Sequence, residues 1–208
     1  IEYVLETRKL DSLPSSTENT FYPAIKNLIS AILKETRLPF EVRVNTSEAK
    51  GKARDMPDFV LGDDKMFVGV YGEVKRTDVS LEDLAVSIEQ NDQIGRYLAQ
   101  TGVVLLSNVR GFGLLACVAD YDRPATGTVP PEKRDLIKTV DLWSAVTGAG
   151  PKAKADEAAV AELLEIFERS VTDYAPLADP SSLAKVLARQ ARDAKDQLPE
   201  DLKAVKPL

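Results

Sequence analysis

Histidine is absent from all 208 residues, and cysteine occurs once, as Cys117. The first absence removes Ser-His-Asp triads, Cys-His pairs, histidine-rich zinc sites and every nuclease chemistry that needs an imidazole. Catalysis by this chain therefore rests on carboxylates, lysine and metal ions. The second absence excludes an intramolecular disulfide and a cysteine-built zinc site. Cys117 lies in an apolar run, where a lone thiol packs as a small hydrophobe, which suits a reducing cytoplasm. No stretch approaches the ~20 apolar residues of a membrane span, and no basic-then-apolar leader opens the chain, so a cytoplasmic protein with no membrane partner is expected. Excess positive charge is missing too. Lys and Arg number 27 against 33 Asp and Glu, a net charge of −6, so any contact with nucleic acid must be local. The length suits one main core. The chain starts on Ile1 rather than Met and stops on Lys206-Pro207-Leu208, which reads as a piece of a longer polypeptide.

Apolar residues at Phe21, Ile25, Leu28, Ile29 and Ile32 recur three and four apart, predicting a helix over residues 15–35, with Ser15 and Glu18 as a possible capping box. Phe40, Val42 and Val44 alternate with polar residues as on a half-buried strand, and a polar loop runs from Thr46 to Asp55. Pro57 to Leu61 forms a second strand closed by a turn at Gly62 to Lys65, and Met66 to Lys75 a third. On the third strand Val68, Val70 and Val74 face one way, and Tyr71, Glu73 and Lys75 the other. Helical spacing returns over 80–100, with an irregularity at Asn91-Asp92, and two apolar strands follow at Gly102 to Val109 and Phe112 to Ala119. The order is α/β (α+β), helices around a mixed sheet. Beyond residue 120, a Pro-rich linker spans 121–134. A helical extension covers 135–208, with helices at Leu136 to Val146, Ala155 to Val171 and Ser181 to Asp196.

Four features follow one another on these elements: Pro57-Asp58 at a strand start, Glu73-Val74-Lys75 on the next strand, Gln93-x-x-x-Tyr97 on the following helix, and Glu18 near the first helix. Singly, each has a plainer reading: a turn, a solvated strand face, a surface helix face, a cap. Asp55 is the alternative to Asp58, but Pro-Asp at a strand start favours Asp58. Two hard carboxylates suit octahedral Mg²⁺, and a lysine two residues from one of them on a strand projects to the same side. Together the features resemble the PD-(D/E)XK nuclease superfamily over residues 15–119. The resemblance implies an αβββαβ restriction-endonuclease-like core with a nuclease domain at residues 1–120. It implies Asp58, Glu73 and the Val74 carbonyl as ligands of Mg²⁺ (or Mn²⁺ as substitute), and Lys75 serving the attacking water. Gln93, Tyr97 and Glu18 take supporting roles. The whole arrangement resembles the N-terminal endonuclease domain of single-chain restriction-modification enzymes that continue into an adenine-specific DNA methyltransferase. That implies double-stranded DNA as substrate, downstream recognition modules as partners and a transient dimer for double-strand cleavage. A catalytically inactive DNA-binding or structural module is the alternative.

Lys50, Lys52 and Arg54 before Asp58, Arg76 after Lys75, and Arg96 and Arg110 on neighbouring elements make a local basic patch able to meet DNA phosphates. The hairpin poses a geometric test. A regular turn at Asp63-Asp64 pairs Asp58 with residue 69 and leaves Glu73 on the order of 13 Å further along, too far to share an ion. A bulge or bend near Gly69 or Gly72, or a wider shifted turn, is therefore expected.

Overall fold

The computed structural model describes residues 1–38, 40–44, 57–63, 66–124 and 127–172. Helices α1 (Glu2–Asp11) and α2 (Glu18–Glu35) precede strands β1 (Glu41–Val44), β2 (Phe59–Asp63) and β3 (Met66–Val74). Helices α3 (Leu81–Val86) and α4 (Glu89–Thr101) then lead to β4 (Val103–Ser107), β5 (Gly111–Cys117) and β6 (Arg134–Asp141). A small two-stranded ribbon, β7 (Val146–Thr147) and β8 (Lys154–Ala155), and helix α5 (Glu157–Thr172) close the described portion. The six long strands form one mixed sheet in the order β1-β2-β3-β4-β5-β6. Every neighbouring pair is antiparallel except β3 and β4, whose parallel pairing requires a crossover, supplied by α3 and α4.

The pleat divides the core in two. Phe59, Leu61, Val70, Val74, Leu105, Phe112 and Leu114 pack with residues of α1, α2 and α5. Tyr71, Val104, Leu106 and Leu115 pack with Leu81, Leu84, Ile94 and Leu98 of α3 and α4. Strand β4 is buried at all five positions, as its unbroken apolar run demands of a strand covered on both faces. Cys117, half-buried at the end of β5, has its thiol pushed up by burial, as expected of a packing residue. Among the described residues no helix is long and apolar enough to cross a membrane.

Several expectations need correction. Leu136 to Val146 does not start as a helix: residues 134–141 are a strand of the main sheet, paired with β5 from Gly111↔Asp141 to Cys117↔Arg134. The apolar spacing of Leu136, Val140 and Trp143 fits a helix face. However, β5 offers an open edge, and Ile137, Thr139 and Val140 are β-branched residues that fit it. The core therefore extends beyond residue 120. The Pro-rich stretch is a connection within it, with Val129 fully buried and its N–H donating to the Gly95 carbonyl at 2.9 Å. The expected helix at 155–171 is α5, and Ser181 to Asp196 lies outside the described residues.

The helix over 80–100 is broken at Ser87-Ile88, ahead of the expected site, although Asp92 does carry a left-handed φ of 57°. There Asp92 accepts from the buried guanidinium of Arg134, which also donates to the carbonyls of Val129, Ala85 and Ser87. Helix α1 was not foreseen. Its Tyr3 and Val4 are buried, and the Tyr3 hydroxyl donates to the Val109 carbonyl at 2.7 Å. In α2 the cap is Thr17, whose backbone N–H donates to Thr20 Oγ1 at 3.0 Å, rather than the Ser15–Glu18 pair.

Candidate active site

The β2–β3 hairpin has an irregular register. Phe59 pairs with Gly72, Val60 with Tyr71 and Leu61 with Val70, yet Asp63 pairs with Met66, so β3 gains two residues over β2 between Leu61 and Asp63. The expected distortion is present, where Leu61 to Asp63 face Met66 to Val70, a span that includes Gly69. Its effect is to bring Asp58, one residue before Phe59, opposite Glu73 rather than residue 69. Side chains directly opposite on antiparallel strands carry Cβ atoms about 5 Å apart. Glycine is required at both flanking positions by close approach. A Cβ on Gly69 would land on the Leu61 carbonyl oxygen, and one on Gly72 inside the Phe59 ring.

Asp58 lies in a bend, after a proline that cannot extend the ladder. Its Oδ2 takes the place of a strand carbonyl and accepts the Val74 N–H at 2.7 Å, while Oδ1 accepts the Tyr22 hydroxyl at 2.5 Å. A strand residue directs its N–H and C=O to the same edge, so the Val74 carbonyl also faces the Asp58 side. The next residue, Lys75, turns its N–H to the Ser107 carbonyl of β4 at 2.8 Å.

Glu73 is 3% exposed on the sheet face that carries Tyr71. Its Oε1 accepts from Lys75 Nζ at 2.8 Å, and among the described residues its buried Oε2 has no hydrogen-bond partner. Burial, then the charge of Asp58, pushes the Glu73 carboxyl up to about 7, with Lys75 pulling the other way. Burial would lower the Lys75 ammonium, but Glu73 outweighs it and holds the lysine above its ordinary value. Lys75 is thus a cation that donates, not a base.

Glu18, in the first turn of α2, stands in the field of Lys75 and Asp58. Burial raises its carboxyl, Lys75 lowers it and Asp58 raises it further. Asp58, Glu73 and Lys75 are thus brought together, and Glu18 lies within their electrostatic reach. Among the described residues no three acidic or cysteine side chains group tightly enough to hold a metal by themselves. Two carboxylates and one backbone carbonyl remain, a set that leaves room for the waters Mg²⁺ retains. The unpartnered Glu73 Oε2 is the observation that fits such an ion: a buried carboxylate oxygen normally has a donor or a cation against it.

Gln93 and Tyr97 correct the expectation of a polar helix face. Gln93 is 7% and Tyr97 1% exposed, and the Gln93 amide donates to the Tyr97 hydroxyl inside the α3–α4 half of the core. Tyr97 meets Tyr71 edge-on at 5.2 Å. Tyr71 in turn lies two residues before Glu73 on the same strand face. Tyr22 was missed altogether. The available signal was its position one turn after Glu18, on the helix face that reaches the carboxylates.

The basic patch falls only partly within the described residues. Lys50, Lys52, Arg54 and Asp55 lie outside the described residues. Arg76 is exposed beside the site and donates to the Ser16 carbonyl at 3.2 Å. Arg96 is half-buried on α4. Arg110 is committed elsewhere, paired with Asp141 at 3.0 Å and set 5.8 Å from the Trp143 ring centre. Comparison of the chain with protein-family models, with curated proteins and with solved structures finds no match.

Proposed function

We propose that the chain is a metal-dependent endonuclease domain that hydrolyses DNA phosphodiester bonds. The observation that carries this reading is the register shift that sets Asp58 opposite Glu73, whose buried Oε2 has no partner among the described residues. The order of elements up to β4 agrees with a restriction-endonuclease-like αβββαβ core. Asp58, Glu73 and the Val74 carbonyl would hold Mg²⁺, or Mn²⁺ in its place. When bound, such an ion polarises a phosphate and lowers the pKa of a coordinated water.

The chain's own contribution is positional and electrostatic. Lys75, fixed as a cation by Glu73, donates to the attacking water or to the phosphate oxygens, whose negative charge grows as the water oxygen bonds to phosphorus and one P–O ester bond breaks. The products are a phosphomonoester and an alcohol. Neither histidine nor cysteine is needed. Arg76, exposed next to Lys75, would meet a flanking phosphate, with the half-buried Arg96 of α4 as a further candidate.

With a net charge of −6, such a domain would take most of its DNA affinity and its sequence choice from other modules. This agrees with a role as the cleavage module of a restriction-modification enzyme in the cytoplasm, with a methyltransferase as covalent partner. A catalytically silent module is disfavoured by Glu73: with Lys75 on one oxygen only, this buried carboxyl must keep a proton near neutral pH unless a cation takes Oε2.

The test is plasmid cleavage with Mg²⁺, comparing wild type with Asp58→Ala and Lys75→Met. Each substitution is expected to lower the rate at least about 100-fold, with Lys75→Met still binding Mn²⁺. Cleavage at the wild-type rate by both folded variants would show that the site lies elsewhere.

A further inference from the structure

We propose that Tyr22 is a positioning residue for the ion site, its hydroxyl fixing the carboxylate plane of Asp58. This rests on the reading of Asp58 and Glu73 as a metal pair.

The need for such a residue follows from where Asp58 stands. It precedes the first ladder pair of β2, in a bend after Pro57, so strand pairing does not fix its side chain. An aspartate there has two side-chain torsions free to turn. Two donors from different elements remove that freedom: the Val74 N–H of β3 on Oδ2 at 2.7 Å and the Tyr22 hydroxyl of α2 on Oδ1 at 2.5 Å. Each carboxylate oxygen has two lone pairs, so one on each stays available to a cation.

The Val74 N–H comes with the strand, whereas the hydroxyl comes from one side chain. Tyr22 itself is 7% exposed, and its ring packs in the core with Phe21 and Ile25 of the same helix. Tyr22→Phe therefore keeps the ring and deletes only the donor. Groups that orient a metal ligand from behind typically contribute 10- to 100-fold in affinity. A purely structural bond between α2 and the start of β2 would alter stability and leave the affinity of the folded protein unchanged.

The experiment is calorimetric titration of the full 208-residue chain with Mn²⁺ alone, for wild type, Tyr22→Phe and Asp58→Ala. Folding of each is checked by circular dichroism. The expected result is binding by wild type, 10- to 100-fold weaker binding by Tyr22→Phe and none by Asp58→Ala. Equal affinities for wild type and Tyr22→Phe would overturn the positioning role and leave the metal pair standing. Absence of Mn²⁺ binding by wild type would overturn the metal pair and the positioning role with it. A Tyr22→Phe chain that folds only after Mn²⁺ is added, and then binds as tightly as wild type, would also overturn the role of Tyr22.

Discussion

Replacing Glu73 with glutamine separates the cost of a buried carboxylate from everything else at the site. In the metal-free protein, burial and the neighbouring charge of Asp58 raise this carboxyl from its ordinary 4.5 to about 7. Below pH 4.5 the folded and unfolded chains both carry the proton. As pH rises from there, the unfolded chain releases it while the folded chain keeps it, so the folded state binds more protons and stability falls until about pH 7. At about 1.4 kcal/mol per pH unit, that interval amounts to about 3 kcal/mol. For a chain of this size, that corresponds to a melting temperature lower by roughly 10 °C at pH 8 than at pH 4.5 from this group alone.

Glu18, whose carboxyl is also raised, adds a smaller slope of the same sign. The diagnostic is therefore the difference between wild type and Glu73→Gln in melts at pH 5 and pH 8 with chelator present. The glutamine variant lacks the Glu73 part of the slope, even though loss of the Lys75 partner shifts its absolute stability. Mg²⁺ should restore wild type at pH 8, because an ion favours the deprotonated carboxylate, and should leave Glu73→Gln unmoved. Parallel pH profiles for the two proteins would refute the claim that Glu73 is buried with an unpartnered oxygen.

Two further perturbations address the framework. Gly69→Ala would drive a Cβ into the Leu61 carbonyl at the register shift, so a loss of about 2 kcal/mol or more is expected in denaturant unfolding. Mn²⁺ affinity should fall with it, and an unchanged midpoint would argue against the shifted register. Arg134→Met removes the buried guanidinium that ties Asp92 to three backbone carbonyls, and should destabilise by about 3–5 kcal/mol in the same assay.

The parts of the fold set by local periodicity were legible. The alternation of β3 placed Glu73 and Lys75 on one face, and the 2.8 Å bond between them follows from that spacing. The apolar runs of β4 and β5 stood out because a central strand is buried on both sides. The hairpin was legible as a constraint rather than as a structure: two carboxylates that must meet implied a bulge, and two glycines limited where it could form. What depends on partners distant in sequence was not legible. Strand β6 carries a spacing that serves a helix equally well, and only the open edge of β5 selects the strand. Gln93 and Tyr97 are polar enough to suggest a surface, but the Gln93 amide donates to the Tyr97 hydroxyl within the core. Tyr22 reaches Asp58 across 36 residues: its place one turn after Glu18 marks the helix face, but nothing local names the partner.

The central claim is that Asp58 and Glu73 are held opposite each other to share one divalent cation. Anomalous diffraction from crystals soaked in Mn²⁺ tests it directly. A manganese peak between the two carboxylates, within coordination distance of the Val74 carbonyl, is the predicted result. Well-ordered Asp58 and Glu73 with no peak between them, at an Mn²⁺ concentration that supports cleavage, would contradict it.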